Sequence, residues 1–319
     1  MDVDSPPGIL FLTFTAFSTL LYIYLIILIL TDKELREAAF FMLNIVLGIS
    51  DIGMIWTMYT FHRLTAVRKT IFLNFGKYNP FAFMCTNTFG FFHDIQKFVL
   101  MAIVVNRFTA VVFPQGHRKI WSGRYTLIII LIIILTSLAK HLILELLFPT
   151  YFYVKSENTR EIGCISENKL VYKIGLQFTI YLAMFASVIT CLLYGIMITY
   201  LCLNRKKMKA RSRMWIRTYR VELKLTLAVM FHTLILAMDG GSATLFFIFK
   251  LKGWMTVNDI AQDLLCGSNP YLLLFFSSRL RKKTFAPFRC VKSLLKLNSN
   301  KVFTVSEVEL RRSSKRQQI

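Results

Sequence analysis

The chain has 319 residues, 55% of them apolar, and carries 39 Lys and Arg against 17 Asp and Glu, a formal net charge of +22. Soluble domains average roughly 45–50% apolar residues, so it is the gathering of apolar residues into long runs, more than their total, that excludes an ordinary soluble fold. The basic excess excludes less than it suggests: it sits between the runs, no basic segment belongs to a recognisable nucleic-acid-binding module, and nucleic acid is not expected as a partner.

The first run, Gly8–Leu30, holds 23 residues without a charge. At about 1.5 Å per residue it reaches about 34 Å, enough for a hydrocarbon core of about 30 Å. Its N-terminal flank carries Asp2 and Asp4 and no basic residue, so the run reads as a retained helix and not as a signal peptide. Further spans are expected at Ala38–Phe61, Thr86–Phe113, Tyr125–Leu147, Tyr172–Leu203, Leu223–Phe249 and Asp259–Ser277. The expected fold is therefore an all-α integral membrane protein, a seven-transmembrane helix bundle forming one domain over residues 1–290. Between the fifth and sixth spans, Asn204–Lys224 has no Gly or Pro and suits cytoplasmic extensions of both helices. After the seventh span, Arg279–Cys290 alternates basic residues with Leu280, Phe285 and Phe288, the pattern of a short amphipathic helix on a membrane surface. Cys290 then lies where a palmitoyl chain reaches the bilayer. Residues 291–319 are expected to be a disordered basic tail.

Orientation follows from the loops. With the N-terminus outside, the inner segments hold 26 Lys and Arg and the outer segments nine. That bias places the N-terminus outside and the C-terminus in the cytoplasm of a multi-pass plasma-membrane protein. The inner basic residues then face anionic membrane lipid, each worth about 1 kcal/mol near the surface, and acidic signalling partners. Of six cysteines, Cys85 and Cys164 face the oxidising side, where a disulfide between them is chemically permitted. Cys191 and Cys266 lie within spans, and no Cys or His spacing resembles a zinc site. No cofactor is implied.

Polar groups inside spans are costly and mark candidate sites. Asp51 lies in the middle of the second span and is expected to face the bundle interior, holding a cation or water network or hydrogen-bonding a neighbouring helix. Asn106, Arg107 and Phe108 close the third span, where Arg107 either snorkels to lipid phosphate or makes a central contact that changes when the bundle opens. The outer half of that span carries His93, Asp94 and Lys97. Asp94 and Lys97 are three residues apart and can pair with each other. Across the bundle stand Lys140, His141 and Glu145, then Asp239, Asp259 and Asp263. His93, Asp94, Lys97 and Asp263 are candidate polar anchors in an otherwise apolar, aromatic ligand pocket; structural pairing between helices is the competing reading.

The run Asn106-Arg107-Phe108-Thr109-Ala110-Val111-Val112-Phe113-Pro114, followed by His117 and Trp121, resembles the third-helix signature of nematode serpentine chemoreceptors. Within the Srg superfamily it is most similar to the Srv family. Leu43-Asn44 through Ser50-Asp51 and Ser268-Asn269-Pro270-Tyr271 support the resemblance, which covers the whole chain in spans and loop lengths. It implies a G-protein-coupled chemosensory receptor that binds an odorant or pheromone-like small molecule between the outer halves of its helices. Sensory cilia are the location it implies. Arg107 matches the arginine of the rhodopsin-like Asp-Arg-Tyr motif, which meets the heterotrimeric G protein. Asp51 matches a second-helix aspartate that binds sodium in many such receptors. Asn269 and Pro270 match the start of an Asn-Pro-x-x-Tyr motif, and Cys85 and Cys164 the outer disulfide. The chain departs from that pattern at Asn106, where an acid is usual, and at Leu273, where a tyrosine is. It also lacks the first-span asparagine and the sixth-span Trp-x-Pro switch. A ligand-gated channel or transporter would call for inverted repeats or a charged pore face, and an enzyme for a nucleophile–base or metal cluster. The sequence offers none of these.

Overall fold

The computed structural model describes residues 6–63, 80–156, 161–166, 168–209, 213–245, 249 and 254–286. Helix α1 (Pro6–Thr31) opens on two prolines, tolerated because the first-turn N–H groups have no intrahelical partner. Asp32 ends it and caps the short α2 (Lys33–Arg36), its carboxylate accepting from the Leu35 N–H at 3.1 Å. Helix α3 (Ala39–Thr57) runs on into a π-helical turn, Met58–Arg63. The short α4 (Pro80–Phe83) leads through a second π-helical turn, Met84–Thr88, into α5 (Phe89–Val112). Phe113, at φ −125° and ψ 57°, breaks α5, and Pro114 takes the first position of α6 (Pro114–Ile120). Helix α7 (Gly123–Leu147) follows.

The segment after α7 departs from the all-helical expectation. Strands β1 (Thr150–Ser156) and β2 (Glu161–Ser166) form an antiparallel hairpin in which Phe152 pairs with Cys164. The aromatic and β-branched run Thr150–Val154 favours a strand over a helix. Helix α8 (Lys169–Lys209) is 41 residues long, about 60 Å, twice the hydrocarbon thickness. Helix α9 starts at Arg213 and runs to Ala243, so the basic segment between the fifth and sixth expected spans is largely helical. Helix α10 (Trp254–Phe276) carries Pro270 in its interior. Residues from Ser277 belong to a separate unit. Its described part is α11 (Ser278–Thr284), capped by Ser277, whose hydroxyl accepts from the Leu280 N–H at 3.3 Å. The amphipathic helix expected over Arg279–Cys290 is thus seen as seven residues; Cys290 and residues 291–319 lie outside the described residues.

Five stretches among the described residues are long and apolar enough to cross a membrane: Gly8–Thr31, Ala39–Phe61, Phe89–Val112, Gly123–Leu147 and Lys173–Leu203. The sequence expectation was seven. Helices α9 and α10 occupy the places of the sixth and seventh, at 31 and 23 residues. Their apolar runs are interrupted by Glu222, Lys224 and Asp239 in one and by Asp259 and Asp263 in the other.

Helix α5 is the hub, packing against α3, α7, α8 and α9, while α1 closes the bundle against α3 and α10. Its buried Ile95, Val99, Leu100, Ile103 and Val104 recur at helical spacing. Helix α7 buries only Thr126, Ile130, Ser137 and His141 and turns a surface of Leu and Ile outward. Because lipid supplies no hydrophobic force between helices, contact relies on small and polar residues. Gly48 illustrates this: a Cβ there would stand 2.9 Å from a Tyr22 ring carbon.

Candidate functional site: the polar core of the bundle

Asp51 is fully buried, and both carboxylate oxygens receive protein donors. Tyr22 of α1 donates its hydroxyl to one, and the Gln96 amide of α5 donates to the other at 2.5 Å. The same Gln96 nitrogen lies 3.5 Å from the Cys266 sulfur on α10. An isolated aspartate at mid-span costs roughly 2.5–3.5 kcal/mol on insertion scales; two hydrogen bonds from neighbouring helices offset much of that. Tyr22 thereby ties α1 to α3 through this acid. Its ring reaches Asp51 by crossing Gly48, which lies almost one turn before the acid on α3.

On α5, His93 and Asp94 point to different partners. Lys97 Nζ, fully buried, lies within hydrogen-bond distance of His93 Nδ1, at 2.7 Å. The other ring nitrogen, Nε2, stands 3.5 Å from Asp239 Oδ2 on α9, without hydrogen-bond geometry. If Lys97 is an ammonium donor, His93 Nδ1 is an acceptor and Nε2 carries the proton, aimed at the Asp239 carboxylate. His93 thus spaces a buried amine from a buried acid between α5 and α9. Asp94 faces the other way, 2.6 Å from Lys140 Nζ and 3.1 Å from His141 Nε2, both on α7. The Asp94–Lys97 pairing that the spacing permitted is replaced by this cross-helix pair, because α7 brings two nitrogens to one carboxylate oxygen. Lys140 also lies 3.4 Å from Thr179 Oγ1 and 5.0 Å above the Phe178 ring on α8. Asp263, fully buried on α10, accepts from the Tyr59 hydroxyl at 3.4 Å.

At the α6 end of the bundle, Arg107 is 7% exposed, which argues against simple snorkelling. Its guanidinium stands 4.0 Å above the Phe40 ring and donates to Asn106 Oδ1 at 3.1 Å. Phe108 packs edge-on against Phe113 instead. Thr109 Oγ1 receives the Trp121 indole N–H at 2.9 Å and lies 3.1 Å from His117 Nδ1. The spacing Thr109, His117, Trp121 therefore folds α6 back onto the end of α5. Asn269 and Leu273 are buried on α10, whereas Tyr271 is 39% exposed and stacks on Phe14 of α1 at 5.8 Å. Pro270 removes the backbone donor that the Cys266 carbonyl would otherwise meet.

At the hairpin end, Glu145 accepts from the Thr150 N–H at 2.9 Å, from the Thr150 hydroxyl at 2.6 Å and from the Asn87 amide at 2.6 Å. This ties the end of α7 to the hairpin and to the Met84–Thr88 turn. Cys85, in that turn, is disulfide-bonded. Strand β2, which carries Cys164, packs against the same turn; the Cys164 side chain lies outside the described residues. Cys191, Cys202 and Cys266 are free.

Sequence reasoning missed Tyr22, Phe40, Asn87 and Gln96. Gln96 was findable as an amide inside an apolar run. Tyr22 and Phe40 look like any aromatic residue of a span, and only the packing gives them roles. No group of His, Cys, Asp and Glu suited to a metal ion occurs among the described residues.

A bundle of membrane-length helices with a paired polar interior defines a multi-pass helical membrane protein. The sequence profile of the Srg family chemoreceptors matches residues 9–284, and the chain belongs to that family. No curated protein matches it.

Proposed function

We propose that this chemoreceptor is a seven-span, G-protein-coupled receptor for a small molecule. Family membership carries the reading, and the buried Arg107 beside the α5–α6 clamp supports it. The N-terminus and hairpin lie outside, and α6, the ends of α8 and α9, and the basic tail lie in the cytoplasm, following the loop charges. The plasma membrane, in sensory cilia, is its place. The 106–121 signature favours a position nearest the Srv branch.

The ligand, an odorant or pheromone-like molecule, enters between the outer halves of the helices near His93, Asp94, Lys97 and Asp263. Lys97 suits a ligand acceptor: it holds three donors, and among the described residues it uses one, to His93. A ligand that takes over Lys97 or His93 disturbs the α5–α9 relay, and so acts on a bistable contact. The response reaches Arg107, which leaves Phe40 and meets the G protein, with Asn106, Phe108, Asp51, Asn269 and Pro270 in the switch. Since Asn106 replaces the usual acid, the Phe40 ring is the resting restraint. Cys85 pairs with Cys164, and Cys290 carries a palmitoyl chain.

The test is expression at the cell surface with pooled volatile and water-soluble compounds, recording G-protein activation and membrane current together. Activation without direct current is the expected result. A ligand-evoked current that persists when G proteins are blocked would replace this reading with a channel.

A further inference from the structure

A small cavity lies between α3, α5, α9 and α10, lined by Phe40, Asn44, Leu47, His232, Asn269 and Leu273 among others. Its volume open to a water-sized molecule is about 10 Å³. That is at the lower limit for a single water and too small for any larger ligand. Its wall is mostly apolar, yet it carries His232, 2% exposed, and Asn269, 7% exposed. Among the described residues, neither ring nitrogen of His232 has a hydrogen-bond partner, and the Asn269 amide meets the Tyr22 hydroxyl without normal hydrogen-bond geometry, which leaves an amide hydrogen for a second acceptor. Leaving a buried polar group unsatisfied costs about 1–3 kcal/mol. Two such side chains lining one water-sized cavity, with no direct bond between them, make a site of defined chemistry.

We infer that this cavity binds one ordered water that bridges His232 of α9 to Asn269 of α10. Water suits both partners: it accepts from the Asn269 amide, and it donates to a bare ring nitrogen of neutral His232 or accepts from a protonated one. Asn44, whose amide donates to the Phe40 carbonyl at 2.7 Å, places a further polar group on the wall. The bridge joins α9 to α10 by an exchangeable molecule where a direct bond would fix them. Phe40, the ring beneath Arg107, also lines the cavity.

The test is a density map of the full chain in lipid nanodiscs, at a resolution that shows ordered water. The expected result is one compact density about 2.7–3.2 Å from a His232 ring nitrogen and from Asn269 Nδ2. A cavity without such density, or a His232 ring bonded directly to protein, would overturn the inference. A cycle with His232→Phe and Asn269→Leu, read as unfolding temperature, gives a second reading. With a shared water, the second substitution lowers the temperature by less than half of what it does alone. Fully additive losses would count against the bridge.

Discussion

The Arg107 guanidinium lies 4.0 Å above the Phe40 ring, and its neighbour Asn106 supplies an amide oxygen in place of an acid. A desolvated cation–π contact is worth about 0.5–2 kcal/mol. Removing one of about 1 kcal/mol shifts a two-state equilibrium by about fivefold. Phe40→Leu is therefore expected to raise ligand-independent G-protein activation several-fold, while Phe40→Tyr, which keeps the ring, leaves it near the original level. Equal basal activity in both variants, at matched surface expression, would remove Phe40 as the restraint.

Asp51 has both oxygens engaged by Tyr22 and Gln96. A sodium ion would have to share the two oxygens with these donors, inside a fully buried site. The unfolding temperature of the purified chain is thus expected to be the same in sodium chloride and in choline chloride at equal ionic strength. A rise specific to sodium would show that the carboxylate opens to the ion. Asp51→Ala, in contrast, strands the Tyr22 hydroxyl and the Gln96 amide, and should lower the unfolding temperature clearly more than Asp51→Asn.

Asp94 is buried, and Lys140 is its 2.6 Å partner. Breaking a fully buried pair costs about 3–5 kcal/mol. The Lys140 side chain is 21% exposed, which favours the low end of that range or below. Lys140→Met should destabilise the chain, and adding Asp94→Asn should recover part of the loss, because the stranded charge is removed. A double variant no more stable than Lys140→Met would mean that the pair is energetically idle.

Gly48 lets the Tyr22 ring cross α3. Gly48→Ala should push Tyr22 aside and weaken its bond to Asp51. The expected outcome is that Gly48→Ala and Tyr22→Phe each lower the unfolding temperature, and that together they lower it little more than either alone. Independent, additive effects would separate the glycine from the Tyr22–Asp51 contact.

Apolar run length made the first five spans legible, and mid-span polarity made Asp51, Asp94, Lys97 and Arg107 legible as interior groups. Both signals are properties of single segments. Partner choice was not legible, because it depends on how helices are placed side by side. Asp94 pairs with α7 instead of with Lys97, three residues along its own helix. Tyr22 and Phe40 gain their roles only from that placement. The hairpin after α7 was hidden because a loop between spans carries no membrane-scale signal, although Thr150–Val154 has strand-forming residues. The sixth and seventh spans were read from apolar runs that Asp239, Asp259 and Asp263 interrupt. Of these, Asp239 and Asp263 are buried and contribute to the polar interior.

The central claim is that Arg107 links a small-molecule receptor to a G protein. Its most direct test is guanine-nucleotide exchange on purified heterotrimeric G protein, driven by the full chain in nanodiscs. The original chain, Phe40→Leu and Arg107→Ala would be compared at equal folded concentration. The account predicts exchange above the protein-free rate for the original chain, several-fold faster exchange for Phe40→Leu, and a return to the protein-free rate for Arg107→Ala. Exchange that is unchanged by Arg107→Ala, or absent with every G-protein class even for Phe40→Leu, would contradict it.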